Sequence, residues 1–283
     1  MSIVITKLSH TYMSGSGLAH NALTDIDLTI NEGEFLGLIG HTGSGKSTLV
    51  QMMNGLMQPS SGSVMVDGLL MSDKKQRVKG RHLVGLVFQY PEYQLFEETV
   101  AKDIAYGPRN MKLPEDQIHE RVIEAMRLVG LAEEYSEKSP FELSGGEKRR
   151  AALAGIIAMR PKYLIMDEPM AGLDPMGRRE ILDTIDGLRD KTGCGVVMVS
   201  HSMDDIARCA QRIAVLHDGR LARVDTPANV FADMDLLMET GLDIPQMSRL
   251  TLALRARGVV DIPNIYDMDQ MERFILGRVH KDV

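Results

Sequence analysis

The sequence predicts an α/β fold with a mostly parallel sheet that is covered on both faces. After Pro161, short apolar strands alternate with helical segments, a pattern typical of parallel sheets that are buried on both sides. The opening third is instead rich in strand signals, and the last part of the chain is helical. With 283 residues, the chain can form one large domain and a smaller appendage.

The elements of the first half follow from hydrophobic periodicity. Alternating apolar residues predict half-buried strands, and short continuous apolar runs predict buried strands. These strands are expected at residues 3–10, 23–30, 35–39, 64–68 and 83–88. A helix is expected at 47–56. From Thr99 to Gly130 the period becomes helical, which predicts an amphipathic helix that ends at Gly130.

The second half continues with alternating helices and strands. Helices are expected at 147–159, 176–191 and 203–210, and strands at 163–166, 195–200 and 213–217. Beyond about Val224 three apolar stripes follow, which Pro245 and Pro263 separate. The stripes predict a first helix that starts at Pro227 and carries its stripe over Val230–Met238, a second over Met247–Leu254 and a third over Ile265–Ile275.

The segment GHTGSGKS at residues 40–47 lies between a predicted strand and a predicted helix. Its glycines allow backbone N–H groups to converge on an anion, while Lys46 can reach the β- and γ-phosphates and Ser47 can bind Mg²⁺. The segment therefore predicts a nucleotide-binding phosphate loop. Tyr12 is expected to stack on adenine, with ordinary strand packing as the alternative. The residues expected to bind ATP are Tyr12, Gly40, Gly43, Ser44, Gly45, Lys46, Ser47 and Thr48.

A second glycine-rich segment, LSGGE at Leu143–Glu147, is expected to open a helix. Free N–H groups and the helix dipole favour negative charge at such a position. Two phosphate-seeking loops separated by a long helical stretch suggest that nucleotide is held from two sides.

Two carboxylates, Asp167 and Glu168, end the predicted strand that starts at Tyr163. Side chains at the carboxyl end of a parallel strand face the ligand crevice. Asp167 is therefore expected to hold Mg²⁺ together with Ser47, and Glu168 to polarise the attacking water. An isolated Asp-Glu pair would be two exposed carboxylates, but the phosphate loop favours the catalytic interpretation.

Gln89 and His201 also follow predicted strands. Alone, the glutamine would be a turn residue and the histidine an ordinary surface or core residue. Beside a phosphate loop, Gln89 is expected to reach Mg²⁺ and the attacking water, and His201 the γ-phosphate. The predicted catalytic residues are Glu168, His201 and Gln89, and the predicted Mg²⁺ ligands are Ser47, Gln89 and Asp167.

Composition excludes several other classes of function. A formal charge of −7 argues against a nucleic-acid partner despite the local basic cluster Lys148–Arg150. Two cysteines, Cys194 and Cys209, show neither a disulfide framework nor metal-ligand spacing and fit a reducing cytoplasm. Residues 1–5 lack the features of a signal peptide, and no apolar run reaches the length of a membrane span. A soluble protein is expected, so any membrane role would require a partner.

Taken in order, these motifs resemble those of the ATP-binding cassette ATPases over residues 3–222. The resemblance implies a P-loop NTPase fold with an N-terminal antiparallel β subdomain, a helical subdomain at about 97–160 and a C-terminal helical appendage. It implies a nucleotide-binding domain at 1–223 and an appendage or dimerisation region at 224–283. It also implies a head-to-tail dimer that ATP closes and hydrolysis reopens. In that dimer the partner's ATP contacts Ser144, Gly145, Gly146 and Glu147, and Asp174 lies at the interface.

The segment Phe88–Val100 is similar to that of energy-coupling factor transporter ATPases, the second of their two paired types. That resemblance implies the following partners: a second ATPase subunit (a heterodimer favoured over a homodimer), an integral membrane coupling subunit and a substrate-binding membrane subunit. The expected location is the cytoplasmic face of the cell membrane, as a peripheral protein. The expected role is to power uptake of vitamins or of cobalt or nickel.

Physical reasoning about the same segment leaves two interpretations. Tyr90, Tyr93, Leu95 and Phe96 either pack under the helical subdomain or line an exposed groove for a membrane partner, and the groove is favoured. The C-terminal stripes either pack on their own sheet or dimerise.

Two other functions within the same family are alternatives. One is a non-transport ATPase, such as a DNA-repair or ribosome-associated protein, for which tandem cassettes, long coiled coils or basic arms are expected and none is visible. The other is a regulatory subunit that binds ATP only to dimerise, against which Glu168 argues. Many family members carry Gln where this chain has Glu147, a side chain that phosphate binding does not require.

Overall fold

The computed structural model describes residues 1–15, 17–259 and 261–279. Its strands are β1 (Ser2–Tyr12), β2 (His20–Asn31), β3 (Phe35–Ile39), β4 (Ser61–Val66), β5 (Leu69–Leu70), β6 (Val84–Val87), β7 (Tyr163–Asp167), β8 (Gly195–Val199), β9 (Arg212–His217) and β10 (Arg220–Asp225). Its helices are α1 (Lys46–Met53), α2 (Lys74–Leu83), α3 (Val100–Asn110), α4 (Glu115–Leu128), α5 (Gly145–Ile157), α6 (Pro175–Thr192), α7 (Met203–Cys209), α8 (Pro227–Ala232), α9 (Met234–Glu239), α10 (Gln246–Ala256) and α11 (Met268–Val279).

The central sheet has six strands in the order β10-β9-β3-β8-β7-β6. All neighbouring strands in it are parallel except β10, which pairs antiparallel with β9. Strands β3, β6 and β8 are buried along their whole length, as continuous apolar runs in a covered parallel sheet should be. The predicted mostly parallel α/β sheet is confirmed.

A second sheet of four antiparallel strands, in the order β2-β1-β4-β5, packs over one face of the central sheet. Successive residues of β3 show the resulting layers, because side chains alternate between the two faces of a strand. Leu36 and Leu38 belong to a core shared with the antiparallel sheet and α1. Phe35 and Ile39 belong to a core shared with helices on the other face. The central sheet is therefore the middle layer of the molecule.

Helices α3, α4 and α5 pack together as the helical region between β6 and β7. The apolar stripe predicted for α4 is buried, including Ile118, Val122 and Met126. The structure describes no helix that combines the length and the hydropathy needed to cross a bilayer.

The C-terminal part is helical and its first helix begins at Pro227 as predicted, but that helix is shorter than expected and the third helix begins later than its stripe. The stripe from Val230 to Met238 forms two helices, because the Asp233 carboxylate accepts a hydrogen bond from the N–H of Leu236 (3.1 Å) and caps α9. The third helix begins at Met268 rather than Ile265, after Asp267 accepts from the N–H of Gln270 (2.8 Å).

Two elements escape the hydrophobic pattern. Helix α2 buries only Gly80, so it has no apolar stripe, and its signal is the Asp73 cap that accepts from two backbone N–H groups. Strand β10 lies at one edge of the central sheet, and its arginines obscure the apolar–polar alternation by which a strand is recognised. Charged residues on an edge strand hinder pairing with other chains.

Candidate functional site

Four parallel strands bring the predicted catalytic segments together at the carboxyl-terminal end of the central sheet. Val87 pairs with Met166, Asp167 with Val199, and Val199 with Leu38. The segments that follow β3, β6, β7 and β8 therefore leave the sheet side by side. These segments carry the phosphate loop, Gln89, the two carboxylates and His201, so the crevice expected at the carboxyl ends of the strands is present.

Lys46 is almost entirely buried, and its ammonium is bonded to its own loop. It donates to the carbonyls of Gly40 (2.7 Å) and His41 (2.9 Å). Burial lowers the pKa of Lys46, while the nearby carboxylates of Glu168 and Asp167 act in the opposite direction. A bound phosphate would offset the lost hydration of this cation.

The loop backbone has the close contacts and the conformation that only glycine allows. A Cβ on Gly40 would lie 2.2 Å from the carbonyl oxygen of Leu216. Gly45 has a φ of +104° and precedes α1, where no side chain caps the first N–H groups. The Ser44 hydroxyl is buried without a hydrogen-bond partner. Uncapped N–H groups and an orphaned hydroxyl fit the anion predicted for this loop.

Tyr12 lies over the start of α1. Its hydroxyl is 3.0 Å from Thr48 Oγ1, its ring is partly exposed, and it makes an edge contact with His10 at 4.6 Å between ring centroids. This position beside the phosphate loop is compatible with the predicted contact to adenine and also with the alternative of ordinary strand packing.

Glu168 is held in a conformation that non-glycine residues rarely adopt, with a φ of 53°. Its N–H donates to the carbonyl of Val199 (3.0 Å), and its carboxylate lies 2.7 Å from His201 Nε2. Strain of this kind persists where the surroundings enforce it, and it is frequent at active sites. Two of the three residues predicted to be catalytic, Glu168 and His201, are thus in direct contact.

Gln89 and Asp167 do not take part in the Glu168–His201 contact. Gln89 is exposed two residues beyond β6, and Asp167 is the half-buried last residue of β7. Within the described part of the chain, no hydrogen bond joins Gln89 to the Glu168 or Asp167 carboxylate. The structure brings Gln89 to the same sheet edge without closing it onto the other catalytic residues.

The LSGGE segment forms the start of α5 through a reciprocal cap. The Ser144 hydroxyl accepts from the N–H of Glu147, and the Glu147 carboxylate accepts from the N–H of Ser144 (2.7 Å). These bonds, with a further one from Tyr135, lower the pKa of Glu147 to about 2. The S-x-x-E spacing that marks such a capping box was available in the sequence. Glu147 therefore has a structural role that the sequence prediction missed.

Arg149 in α5 is a second missed residue. Its side chain is only 6% exposed and pairs with Glu92, the two N···O distances being 3.2 Å. It also donates to the carbonyl of Ala171 (3.0 Å). Arg149 thereby connects α5 with the segment after Gln89 and with the loop after β7. In the sequence it is one of three consecutive basic residues, and nothing there distinguishes it from its two neighbours, which are only partly buried.

Asp174 and Gly146 line the same open groove, whose volume is about 910 Å³. The Asp174 carboxylate caps α6 by accepting from the N–H of Gly177 (2.7 Å). The two motifs predicted to face a partner subunit therefore share one surface of the chain.

The segment after Gln89 is largely exposed. Tyr93 is 83% and Phe96 58% exposed, and Tyr90 is also exposed, whereas Leu95 packs partly against the core. The Asp103 carboxylate accepts from the N–H groups of Phe96 and Glu97 (both 2.9 Å) and so holds the end of the segment. Of the two interpretations of this segment, an exposed surface describes it better than a buried core.

Comparison with known proteins gives one consistent result. The family model described as ABC transporter matches residues 23–171. The energy-coupling factor transporter ATP-binding protein EcfA2 of Caldanaerobacter subterraneus subsp. tengcongensis is 51% identical over 277 residues, covering 98% of this chain and 97% of the relative. The protein of the same name from Symbiobacterium thermophilum is 51% identical over 278 residues, covering 98% and 96%.

Solved structures agree with these relatives. A structure of cbiO1 from Clostridium perfringens, described as part of the ABC transporter complex cbiONQ, is 36% identical with a TM-score of 0.74 and covers 88% of this chain and 98% of that one. A dimeric ATP-binding cassette, MJ0796 bound to ADP and Pi, is 29% identical with a TM-score of 0.71 and covers 80% and 98%.

Proposed function

Because this chain belongs to the ABC transporter family, we propose that it is an ATP-hydrolysing subunit of an energy-coupling factor transporter. The observation that carries the proposal is the convergence of the phosphate loop, Asp167, Glu168 and His201 at one sheet edge. Nearly full-length similarity to EcfA2 proteins supports the transporter type. The proposed domains are 1–223 for nucleotide binding, with helices at about 97–160, and 224–283 as the appendage.

In the proposed reaction, Lys46 and the uncapped N–H groups of α1 bind the phosphates of ATP. Ser47, Asp167 and Gln89 would hold Mg²⁺, which neutralises charge on the phosphates. Glu168 would orient and deprotonate the attacking water. His201, whose Nε2 lies 2.7 Å from the Glu168 carboxylate, would hold that carboxylate in place. The Tyr12 ring beside Thr48 would contact the base.

Two subunits are proposed to share each ATP. Ser144 caps α5, Gly145 and Gly146 are its first two residues, and Gly146 lines the groove that Asp174 also lines. A helix start with glycine N–H groups can bind the phosphates of a partner's nucleotide. A second ATPase subunit, in a heterodimer, is the proposed partner.

Ser144→Arg tests this arrangement. The variant should bind ATP as tightly as the parent chain, because its own phosphate loop is untouched, but should no longer dimerise with ATP, because the bulky cation fills the position of the partner's phosphate. A nucleotide-affinity measurement would report ATP binding. Light scattering after size-exclusion chromatography would report dimerisation, in the presence of the partner subunit and in a hydrolysis-deficient background. Thr99→Arg, which removes the cap of α3, is the matched control. Normal ATP-dependent dimers of Ser144→Arg would contradict the shared site.

The membrane partner is proposed to dock on the exposed segment Tyr90–Phe96. Exposed aromatic groups without a covering element are typical of protein–protein contacts. Tyr90 and Tyr93 lie 5.9 Å apart between ring centroids, and Phe96 contacts Tyr106 at 4.9 Å. These rings form an apolar surface that an integral membrane subunit at the cytoplasmic face could cover, and the chain would be a peripheral protein there.

Tyr93→Glu should weaken co-purification with the integral membrane subunit at least about tenfold, because a central aromatic contact is replaced by a charge. Nucleotide affinity of the isolated chain should not change. Val78→Glu alters an exposed apolar residue on α2 and serves as the control. Detergent extracts of membranes from cells that express the full transporter would provide the measurement. Equal recovery of the membrane subunit with both variants would argue against this docking surface.

A further inference from the structure

The side chains of two histidines and an aspartate form a cluster at the phosphate loop, and none of these side chains has a role in the function proposed above. His41 follows Gly40, while His217 ends β9 and Asp218 begins the turn to β10. One ligand atom from each lies within 4.8 Å of the other two. The turn is fastened to the loop, because the N–H of Gly219 donates to the carbonyl of Ser44 (3.1 Å). The cluster is therefore assembled from two segments that the backbone holds together.

The hydrogen bonds of His41 define which ring nitrogen is available. Nδ1 lies 2.8 Å from the carbonyl oxygen of Thr42, which can only accept, so Nδ1 carries the proton. In a neutral ring Nε2 then presents a lone pair. This atom is buried without a hydrogen-bond partner and lies 3.3 Å from Asp218 Oδ1. Two acceptor atoms so close to each other require a positive species for stability.

His217 adds a second imidazole to the same point. Its Nε2 is 3.6 Å from Asp218 Oδ2, and its Nδ1 is buried without a partner. The His41 and His217 rings meet edge to face, with centroids 5.1 Å apart. Both side chains are about one-third exposed and Asp218 is well exposed, so an ion can enter from solvent.

We propose that His41, His217 and Asp218 bind a divalent first-row transition-metal ion of the Zn²⁺, Ni²⁺ or Co²⁺ class. Imidazole nitrogens with one carboxylate suit these ions, whereas Mg²⁺ prefers oxygen ligands, so this site is separate from the one that serves ATP. The Thr42 carbonyl orients His41 in the way that outer hydrogen bonds commonly orient a histidine ligand. The ion would join the β9–β10 turn to the phosphate loop.

Calorimetric titration of the full, tag-free and metal-stripped chain with Zn²⁺ tests the site, near neutral pH, without nucleotide and in excess Mg²⁺. One Zn²⁺ should bind per chain. His217→Ala and Asp218→Asn should each weaken binding at least about tenfold. Asp218 has a φ of 47°, which Asn also tolerates, so the second variant should fold normally, and unchanged ATP affinity would verify this. Substitution by Co²⁺ should give visible absorption bands that both variants lose.

His201→Gln provides the control, because the Glu168–His201 pair is another place where added metal could bind. Zn²⁺ affinity should be the same in this variant as in the parent chain. Loss of binding in His201→Gln together with normal binding in Asp218→Asn would overturn the proposal. Absence of Zn²⁺ binding to the parent chain would also overturn it.

Discussion

Replacing Glu168 by Gln is expected to slow single-turnover ATP hydrolysis by about 100- to 10,000-fold, the usual contribution of a general base. Glutamine has the shape of glutamate and can keep a hydrogen bond to His201, but it cannot accept a proton from water. Since Lys46 and the phosphate loop are unchanged, ATP affinity should remain that of the parent chain. The Glu168→Gln variant is therefore expected to bind ATP and to form a dimer that stays closed.

Quenched-flow measurement of phosphate release, with enzyme in excess over ATP, would determine this rate. Glu133→Gln, in a short exposed 3-10 helix that carries none of the proposed catalytic residues, is a suitable control and should hydrolyse ATP normally. Similar single-turnover rates for Glu168→Gln and the parent chain would remove Glu168 from its proposed role. They would favour the alternative of a regulatory subunit that uses ATP only to dimerise.

Lys46→Ala should weaken ATP binding at least about 100-fold, equivalent to about 3 kcal/mol. A charge-assisted hydrogen bond to phosphate contributes about 1.5–3 kcal/mol, and the ammonium can make more than one. The same substitution leaves the carbonyls of Gly40 and His41 without their donor, so the loop also loses its internal support.

Equilibrium titration with a fluorescent ATP analogue would measure the affinity. Lys75→Ala, on exposed helix α2, is the matched control and should bind the analogue normally. A circular dichroism spectrum like that of the parent chain would verify that Lys46→Ala is folded. If the folded variant retained nucleotide affinity, the assignment of residues 40–47 as the phosphate loop would be wrong.

Most of the fold could be predicted because it depends on burial. Continuous apolar runs such as β3 and β8 have few alternatives to a covered parallel sheet, and the stripe of α4 indicates which of its faces is buried. Elements that bury little could not be found in this way. Helix α2 is set by the Asp73 cap, and the split between α8 and α9 by the carboxylate of Asp233. Capping overrides periodicity at these positions.

The candidate site shows the same division. Local motifs identified Lys46, Glu168 and the start of α5, because phosphate binding needs glycine and a cation within one short segment. The pairing of Arg149 with Glu92 crosses from one element to another, and no local pattern reveals it. The cluster of His41 with His217 is likewise formed only when β9 lies next to β3. Contacts between distant segments are what the structure adds.

The buried Arg149 links the two ATP sites that the proposed dimer would contain. It fastens the start of α5, which is proposed to meet the partner's ATP, to the segment that begins at Gln89, which is proposed to meet the chain's own ATP. The exposed rings of Tyr90–Phe96 lie in that segment. A membrane protein docked on this segment would be connected to both ATP sites at once. The segment would therefore take up its full response only when both sites are occupied.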